Sequence, residues 1–454
     1  MAERLIVIGG IAAGMSAASQ AKRRNPNLEV VVFERDPYIS YGACGMPYYL
    51  GKLIDDYNTL IVLPLEKARE KRGLDVRVNH EVTGIDVNNN KVFVHNKETG
   101  EDFTMEYSRL VITTGARATK IPVEGADLNN IFYLHTLPEG IEIRKFVDQN
   151  NPKKVVVIGA GFIGLEVAEN FKERGIEVTV VELLPNVLGT MDKDMGDLVV
   201  EEMKSNGVDV LLNTKVQGFK GENGKVKSVI TDKGEIEADF VIVGIGVKPN
   251  TEFLKDTGIL LSDNGAIIVD DYMRTNYSEI FAAGDNSVIK HIVTGKYSYI
   301  PLALNANRGG RYAGANASFD KNVEKFPGTL GTAIAKVFNI EVARTGLSSL
   351  EAENNNFEFV TKTITDHSKA GYFPTKGKIT IKLIADKSTK RLIGAILVGA
   401  TGSALRIDAL ATAISNKMTI KDIGELDLAY APPFAPVWDP VLVAANVTAK
   451  SLKK

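Results

Sequence analysis

The chain has 454 residues, 44% of them hydrophobic and 24% charged, with a formal net charge of −2. At about 150 residues per domain this length accommodates roughly three domains, and the near-neutral balance excludes a polyanion-binding surface, so no nucleic-acid partner is expected. No apolar run reaches the ~18 residues of a membrane span, and a single cysteine, Cys44, excludes an internal disulfide.

Glu3 and Arg4 precede the apolar stretch LIVIGGIAAGM, and no small-residue cleavage site follows. The stretch therefore reads as a buried strand and turn rather than a signal peptide, and a reducing cytoplasm is the expected location. RLIVIGG predicts a buried parallel strand, AAGMSAASQAKRR a helix, and EVVVFERD a second strand. The turn between them, Gly9-Gly10-Ile11-Ala12-Ala13-Gly14, has Ile11 where a dinucleotide fingerprint carries its middle glycine, and Glu34 ends the second strand. A second copy of this unit spans 153–185, and its turn, Gly159-Ala160-Gly161-Phe162-Ile163-Gly164, matches the fingerprint in full. The first glycine makes the tight turn, the second lets backbone approach a pyrophosphate, and the third lets helix and strand pack. Glu182 ends the following strand, where an acid accepts from a ribose hydroxyl. Two such sites imply electron transfer between two dinucleotides, a retained flavin and an exchanged nicotinamide.

RLVITTGA (109–116), with Gly115, and DFVIVGIGVKPN (239–250), with Gly246, read as chain crossings between two domains. EIFAAGDNS (279–287) is a strand that stops at Gly284 and Asp285. Beyond about residue 325 the texture changes. Residues 379–400 alternate like an antiparallel hairpin turning near 387–390, and SALRIDALATAISNKM predicts an amphipathic helix, so a third, α+β domain is expected. No metal site is expected.

With these motifs in place, the chain resembles the pyridine nucleotide-disulfide oxidoreductases over its full length. The segment Ser40-Tyr41-Gly42-Ala43-Cys44-Gly45-Met46-Pro47-Tyr48 is similar to the single-cysteine signature S-F-x-x-C-G-x-P-Y of the coenzyme A-disulfide reductase branch, which also holds NADH oxidases, peroxidases and polysulfide reductases. Tyr41 replaces the phenylalanine, and Ala43 stands where some coenzyme A-disulfide reductases carry asparagine. GYFP (371–374) and YAPPF from Tyr430 resemble the branch's two tyrosine segments.

The resemblance implies an α/β chain with two Rossmann-like domains and a C-terminal α+β dimerisation domain. The FAD domain would comprise 1–120 and 241–325, the NAD(P)H domain 121–240 and the interface domain 326–454. It implies FAD contacts at Gly9, Gly10, Gly14, Glu34, Gly115, Gly284 and Asp285. Nicotinamide contacts would be Gly159, Gly161, Gly164, Glu166, Glu182 and Gly246. Coenzyme A would meet Gln20, Arg23, Ser40 and Asn305. Tyr372 and Tyr430 would reach Cys44 of the other subunit in a homodimer.

A cysteine pair can store two electrons as an internal disulfide, whereas a lone cysteine must store them as a bond to an external thiol, a persulfide or a sulfenic acid. The expected cycle passes a hydride from NADH or NADPH to FAD. The electrons then reduce a mixed disulfide of Cys44 with coenzyme A, and the freed thiolate attacks coenzyme A disulfide. CGMPYYLGKLI reads as a helix opening at Cys44, with Pro47 in its first turn, and the helix dipole is expected to lower the thiol pKa. The last histidine is His367, so Tyr430 and Tyr372 are the expected proton donors. Polysulfide or sulfur reduction would use the same cysteine. The first glycine turn has no histidine, which counts against a peroxidase and, less strongly, an oxidase. A non-catalytic redox-sensing flavoprotein is the remote alternative.

Overall fold

The computed structural model describes residues 3–319, 321 and 323–453. Strand Arg4–Ile8 has four fully buried residues in succession, and Glu29–Phe33 repeats that pattern, as strands covered on both faces do. They sit at the centre of a five-stranded parallel sheet in the order Ile280–Ala282, Arg109–Ile112, Arg4–Ile8, Glu29–Phe33, Asp75–Arg77. Helix Ala12–Arg24 crosses between the two central strands.

The second unit repeats this plan. Its parallel sheet runs Asp209–Leu211, Glu177–Val181, Lys154–Ile158, Phe240–Val243, Ile131–Tyr133, with helix Phe162–Glu173 as the first crossover. Phe171 and Phe240 pack edge-on at 5.3 Å in its core, an arrangement that adds about 0.5–1.5 kcal/mol to their burial. The chain passes between the two sheets through Ala116–Ala118 and Val247–Pro249, which pair antiparallel. Phe240–Val243 belongs to the second sheet, because it hydrogen-bonds beside Lys154–Ile158. That corrects the boundary expected after residue 240, which would cut through this strand.

The C-terminal domain is an antiparallel sheet ordered Ala333–Val337, Ile340–Gly346, Leu392–Gly399, Lys378–Asp386, Phe359–His367. The expected hairpin forms from Lys378–Asp386 and Leu392–Gly399, and the expected amphipathic helix is Ile407–Ser415. This domain is fastened to the second unit by polar contacts around the buried Asp192 and Glu169. Lys382 reaches Asp192 at 2.6 Å and Asp194 at 2.8 Å, and Glu169 accepts from the Phe338 N–H at 2.9 Å.

Candidate active site

Both glycine turns have the same construction. Gly9 and Gly159 each adopt φ +100°, open to glycine and strained for other residues. A Cβ on Gly14 would lie 1.7 Å from the Gly9 carbonyl oxygen, and one on Gly164 would lie 2.0 Å from that of Gly159, so each helix packs on its turn only through glycine. Gly161 opens onto free space, as the approach of a pyrophosphate requires. The Gly10 N–H donates to Glu34 at 2.6 Å, and the Ala160 N–H donates to Glu182 at 2.7 Å. Burial pushes the Glu34 carboxyl up to about 7, outweighing the N–H donors of Gly10 and Asp36. Gly115 and Gly246, both at positive φ beside the crossing strands, face open space.

Gly284 brings Asp285 to the first turn: a Cβ there would lie 3.0 Å from that of Ala13. Asp285 Oδ1 is buried without a hydrogen-bond partner, and burial raises this carboxyl above its ordinary range. A buried, unpaired carboxylate oxygen is costly unless a donor meets it. The hydroxyls of a flavin ribityl chain are donors of the required kind, so the residues present fit the flavin. Gly9, Gly10, Gly14, Glu34 and Asp285 would hold it.

The Cys44 segment differs from its expected form. Cys44 lies in a 3-10 turn, Ala43–Gly45, and the α-helix that follows, Met46–Leu50, has only five residues. The thiol is open to solvent, yet enough protein crowds it that burial raises its pKa, and the acids Glu166 and Asp285 add to the rise. The expected lowering is therefore reversed. The helix is too short to supply a strong dipole, and the charges that act on the sulfur are negative. Glu166, on helix Phe162–Glu173, is pushed up to about 7 by burial and by Glu169. It accepts from the Tyr48 hydroxyl at 3.5 Å. Acids of both units, Asp285 of the first and Glu166 of the second, thus act on the Cys44 sulfur.

Tyr372 and Tyr430, 58 residues apart in sequence, meet hydroxyl to hydroxyl at 3.2 Å. They are 74% and 46% exposed, and Phe434, Val437 and Trp438 beside Tyr430 in sequence are exposed as well. Among the described residues no hydrogen bond joins either tyrosine to Cys44 of the same chain.

Of the residues expected to meet coenzyme A, Arg23 is exposed and Gln20 half-buried with an unpartnered Oε1. Ser40, at φ +45°, donates its N–H to the Gly10 carbonyl at 2.9 Å. Asn305 is buried, and its amide donates to the Ile300 carbonyl at 3.1 Å. It faces the interior because helix Ala303–Asn316 presents Asn307 to solvent instead, where Ser16 donates to it at 2.6 Å. Sequence reasoning also missed Tyr48, the partner of Glu166, and Tyr299, whose hydroxyl donates to the Asp285 carbonyl at 2.8 Å. For Tyr48 a signal was present, since it closes the cysteine signature.

Among the described residues no helix is long and apolar enough to cross a membrane, and no group of three or more His, Cys, Asp or Glu side chains is placed to hold a metal ion.

Known proteins match this architecture from end to end. The chain is 39% identical over 446 residues to an NAD(P)H sulfur oxidoreductase (CoA-dependent) of Pyrococcus furiosus, covering 98% of this chain and 99% of that protein. It is 32% identical over 436 residues to a coenzyme A disulfide reductase of Staphylococcus haemolyticus, covering 95% and 96%. The solved structure of an NAD-dependent persulfide reductase from A. fulgidus superposes with a TM-score of 0.95 at 37% identity, covering 99% of this chain and 83% of that one. The sequence pattern of the pyridine nucleotide-disulphide oxidoreductases matches residues 3–310, and the pattern of their dimerisation domain matches residues 332–440. With two glycine turns closed by acids, a flavin-compatible Asp285 and a dimerisation domain behind them, the chain belongs to the pyridine nucleotide-disulphide oxidoreductase family and is an FAD-dependent enzyme of it.

Proposed function

We propose that the chain reduces coenzyme A disulfide with electrons from NADH, using Cys44 as the electron store. The observation that carries this reading is the position of the one cysteine, open to solvent, with acids of both nucleotide-binding units acting on it. FAD, when bound, supplies two-electron exchange between the nicotinamide and sulfur.

The Cys44 thiolate attacks one sulfur of coenzyme A disulfide, forming a Cys44–coenzyme A bond and expelling one coenzyme A thiolate. Two electrons and a proton then cleave that mixed disulfide, giving coenzyme A thiol and restoring the Cys44 thiolate. Each turnover consumes one NADH and one proton and yields two thiols. Burial, Glu166 and Asp285 hold the Cys44 thiol above its ordinary range, so a donor or the coenzyme has to stabilise the anion that attacks. Tyr372 and Tyr430 of a second copy are the proposed donors to the departing thiolate. Gln20, Arg23 and Ser40, with Asn307 in place of Asn305, are the proposed contacts for the coenzyme.

A second reading, persulfide or polysulfide as acceptor, uses the same thiol and is favoured by the Pyrococcus and A. fulgidus relatives. The deciding experiment measures NADH oxidation with coenzyme A disulfide and with polysulfide as sole acceptor, without oxygen. The first reading expects the higher kcat/KM for coenzyme A disulfide, and turnover with polysulfide alone would replace it with the second.

The same assay tests nicotinamide choice. Glu182 is fixed by the N–H groups of Ala160 and Leu184 at 2.7 and 2.8 Å, where it would meet the ribose hydroxyls. No Lys or Arg lies between Glu182 and Lys193 to welcome a 2′-phosphate. The expected kcat/KM is about tenfold or more higher for NADH, equivalent to about 1.4 kcal/mol. A preference for NADPH would show that a cation reaches the ribose from elsewhere in the fold.

A further inference from the structure

The segment bearing Cys44 enters from the flavin-binding unit but is seated on the nicotinamide unit. Tyr41, Met46, Tyr49 and Leu50 belong to the same apolar core as Leu137, Leu165 and Phe171. A five-residue helix is far below the ~12–15 residues at which an isolated helix becomes even marginal in water. Met46–Leu50 has no side-chain cap at its N-terminus, and the loop that follows closes it locally: the N–H groups of Gly51, Leu53 and Lys52 donate to the carbonyls of Pro47, Tyr48 and Tyr49 at 3.0, 3.0 and 3.2 Å.

Two arginines of the nicotinamide unit add tertiary donors to its last two carbonyls, those of Tyr49 and Leu50. Arg144, on helix Leu137–Asn150, donates through Nη1 to the Tyr49 carbonyl, and its guanidinium lies 4.9 Å over the Tyr49 ring. Arg174, just past helix Phe162–Glu173, donates through Nη1 to the Leu50 carbonyl at 2.8 Å. Asp148 braces both, accepting from Arg144 Nε at 2.7 Å and Arg174 Nη2 at 2.5 Å. Lys52 adds a contact to the same carboxylate at 3.3 Å. Burial alone would raise the Asp148 pKa, and the two arginine hydrogen bonds overcome it and hold the carboxyl below its ordinary range. The guanidinium side chains are only 11% and 13% exposed, so this is not a solvated surface pair. Beyond the helix, Gly51 presses against Asn170, where a Cβ would lie 2.0 Å from Oδ1.

We propose that Arg144 and Arg174, braced by Asp148, are positioning residues for Cys44: they fix the short helix, and the turn that carries the thiol, to the nicotinamide-binding unit. This rests on the reading of Cys44 as the reactive thiol. A shift of about 1 Å in such a group costs on the order of 10² in rate, and beside the apolar seating of Met46, Tyr49 and Leu50 the arginines are directional contacts that resist it.

The test uses the flavin-loaded enzyme and compares alanine and lysine at positions 144 and 174 by stopped flow. In the alanine variants the rate at which coenzyme A disulfide reoxidises the NADH-reduced enzyme is expected to fall about tenfold or more. Flavin reduction by NADH should stay within about twofold of wild type, and lysine, which keeps the charge but not the planar fork that spans carbonyl and Asp148, should restore only part of the loss.

A second readout needs no acceptor. It is the pH profile of Cys44 alkylation by iodoacetamide in the reduced enzyme. Burial, Glu166 and Asp285 hold the thiol pKa up, and Tyr48 stands beside the same acid. Released from its seat the thiol moves toward water, so the alkylation midpoint should drop to lower pH while turnover also falls. An unshifted midpoint overturns the proposal, and so does an equal loss in both half-reactions, which would mark general loss of structure. If neither alanine variant folds, Asp148→Asn decides, since it keeps both guanidiniums but removes their brace. The same slowing and the same shift are expected there, and wild-type behaviour overturns the proposal. Failure of wild type to reduce coenzyme A disulfide would refute the proposed acceptor alone, and the alkylation profile would still judge the arginines.

Discussion

Cys44→Ser should abolish disulfide reduction, with kcat falling by about 10⁴-fold or more, the scale seen when a covalent nucleophile is removed. A hydroxyl in that position forms no mixed disulfide, and the chain has no second cysteine to substitute. Flavin content and flavin reduction by NADH should remain near wild type, because neither nucleotide turn depends on the sulfur. Gly9, Gly14 and Glu34 build one turn and Gly159, Gly164 and Glu182 the other, all through backbone packing and N–H contacts. Stopped-flow absorbance separates the two half-reactions. Near-normal reoxidation by coenzyme A disulfide in the serine variant would remove Cys44 from the mechanism.

The second large effect is expected at the tyrosine pair. Tyr372 and Tyr430 touch at 3.2 Å on an exposed apolar surface, and their own chain's Cys44 is not among their partners. Exposed Phe434 and Trp438 next to them need a covering surface, which a dimerisation domain supplies. Across such an interface the pair is proposed to face the other subunit's cysteine. A phenol keeps its proton at neutral pH, and the hydrogen bond to Tyr430 raises the Tyr372 pKa further. A donor aimed at a developing anion contributes about 10²–10³ in rate. Tyr430→Phe keeps the ring and should slow the disulfide step toward that range, and the double change with Tyr372→Phe should be slower still. Flavin reduction should be unaffected in both. If only flavin reduction slows, the tyrosines serve the nicotinamide step, and if neither step changes they are structural.

The parts legible in the sequence were those whose meaning is local. A glycine turn between two buried strands, closed by an acid, needs nothing beyond its own thirty-odd residues, and both turns formed as read. The hairpin at 379–400 was legible because period-two alternation and turn residues are adjacent in sequence. What failed was non-local. The thiol was expected to be acidified by its helix, but the helix is one short turn, and the acids that act on the sulfur stand at positions 166 and 285. The arginines that close that helix come from residues 144 and 174 and carry no motif. The inward turn of Asn305 has no sequence signal either, because packing sets the phase of its helix.

The form in which Cys44 holds its electrons is open to direct measurement by intact-mass spectrometry of the purified, non-denatured enzyme before and after NADH is added without oxygen. The mechanism predicts that the oxidised chain carries one coenzyme A, lost on reduction. An oxidised chain of unmodified mass, or one carrying only additional sulfur or oxygen, would contradict storage as a coenzyme A mixed disulfide.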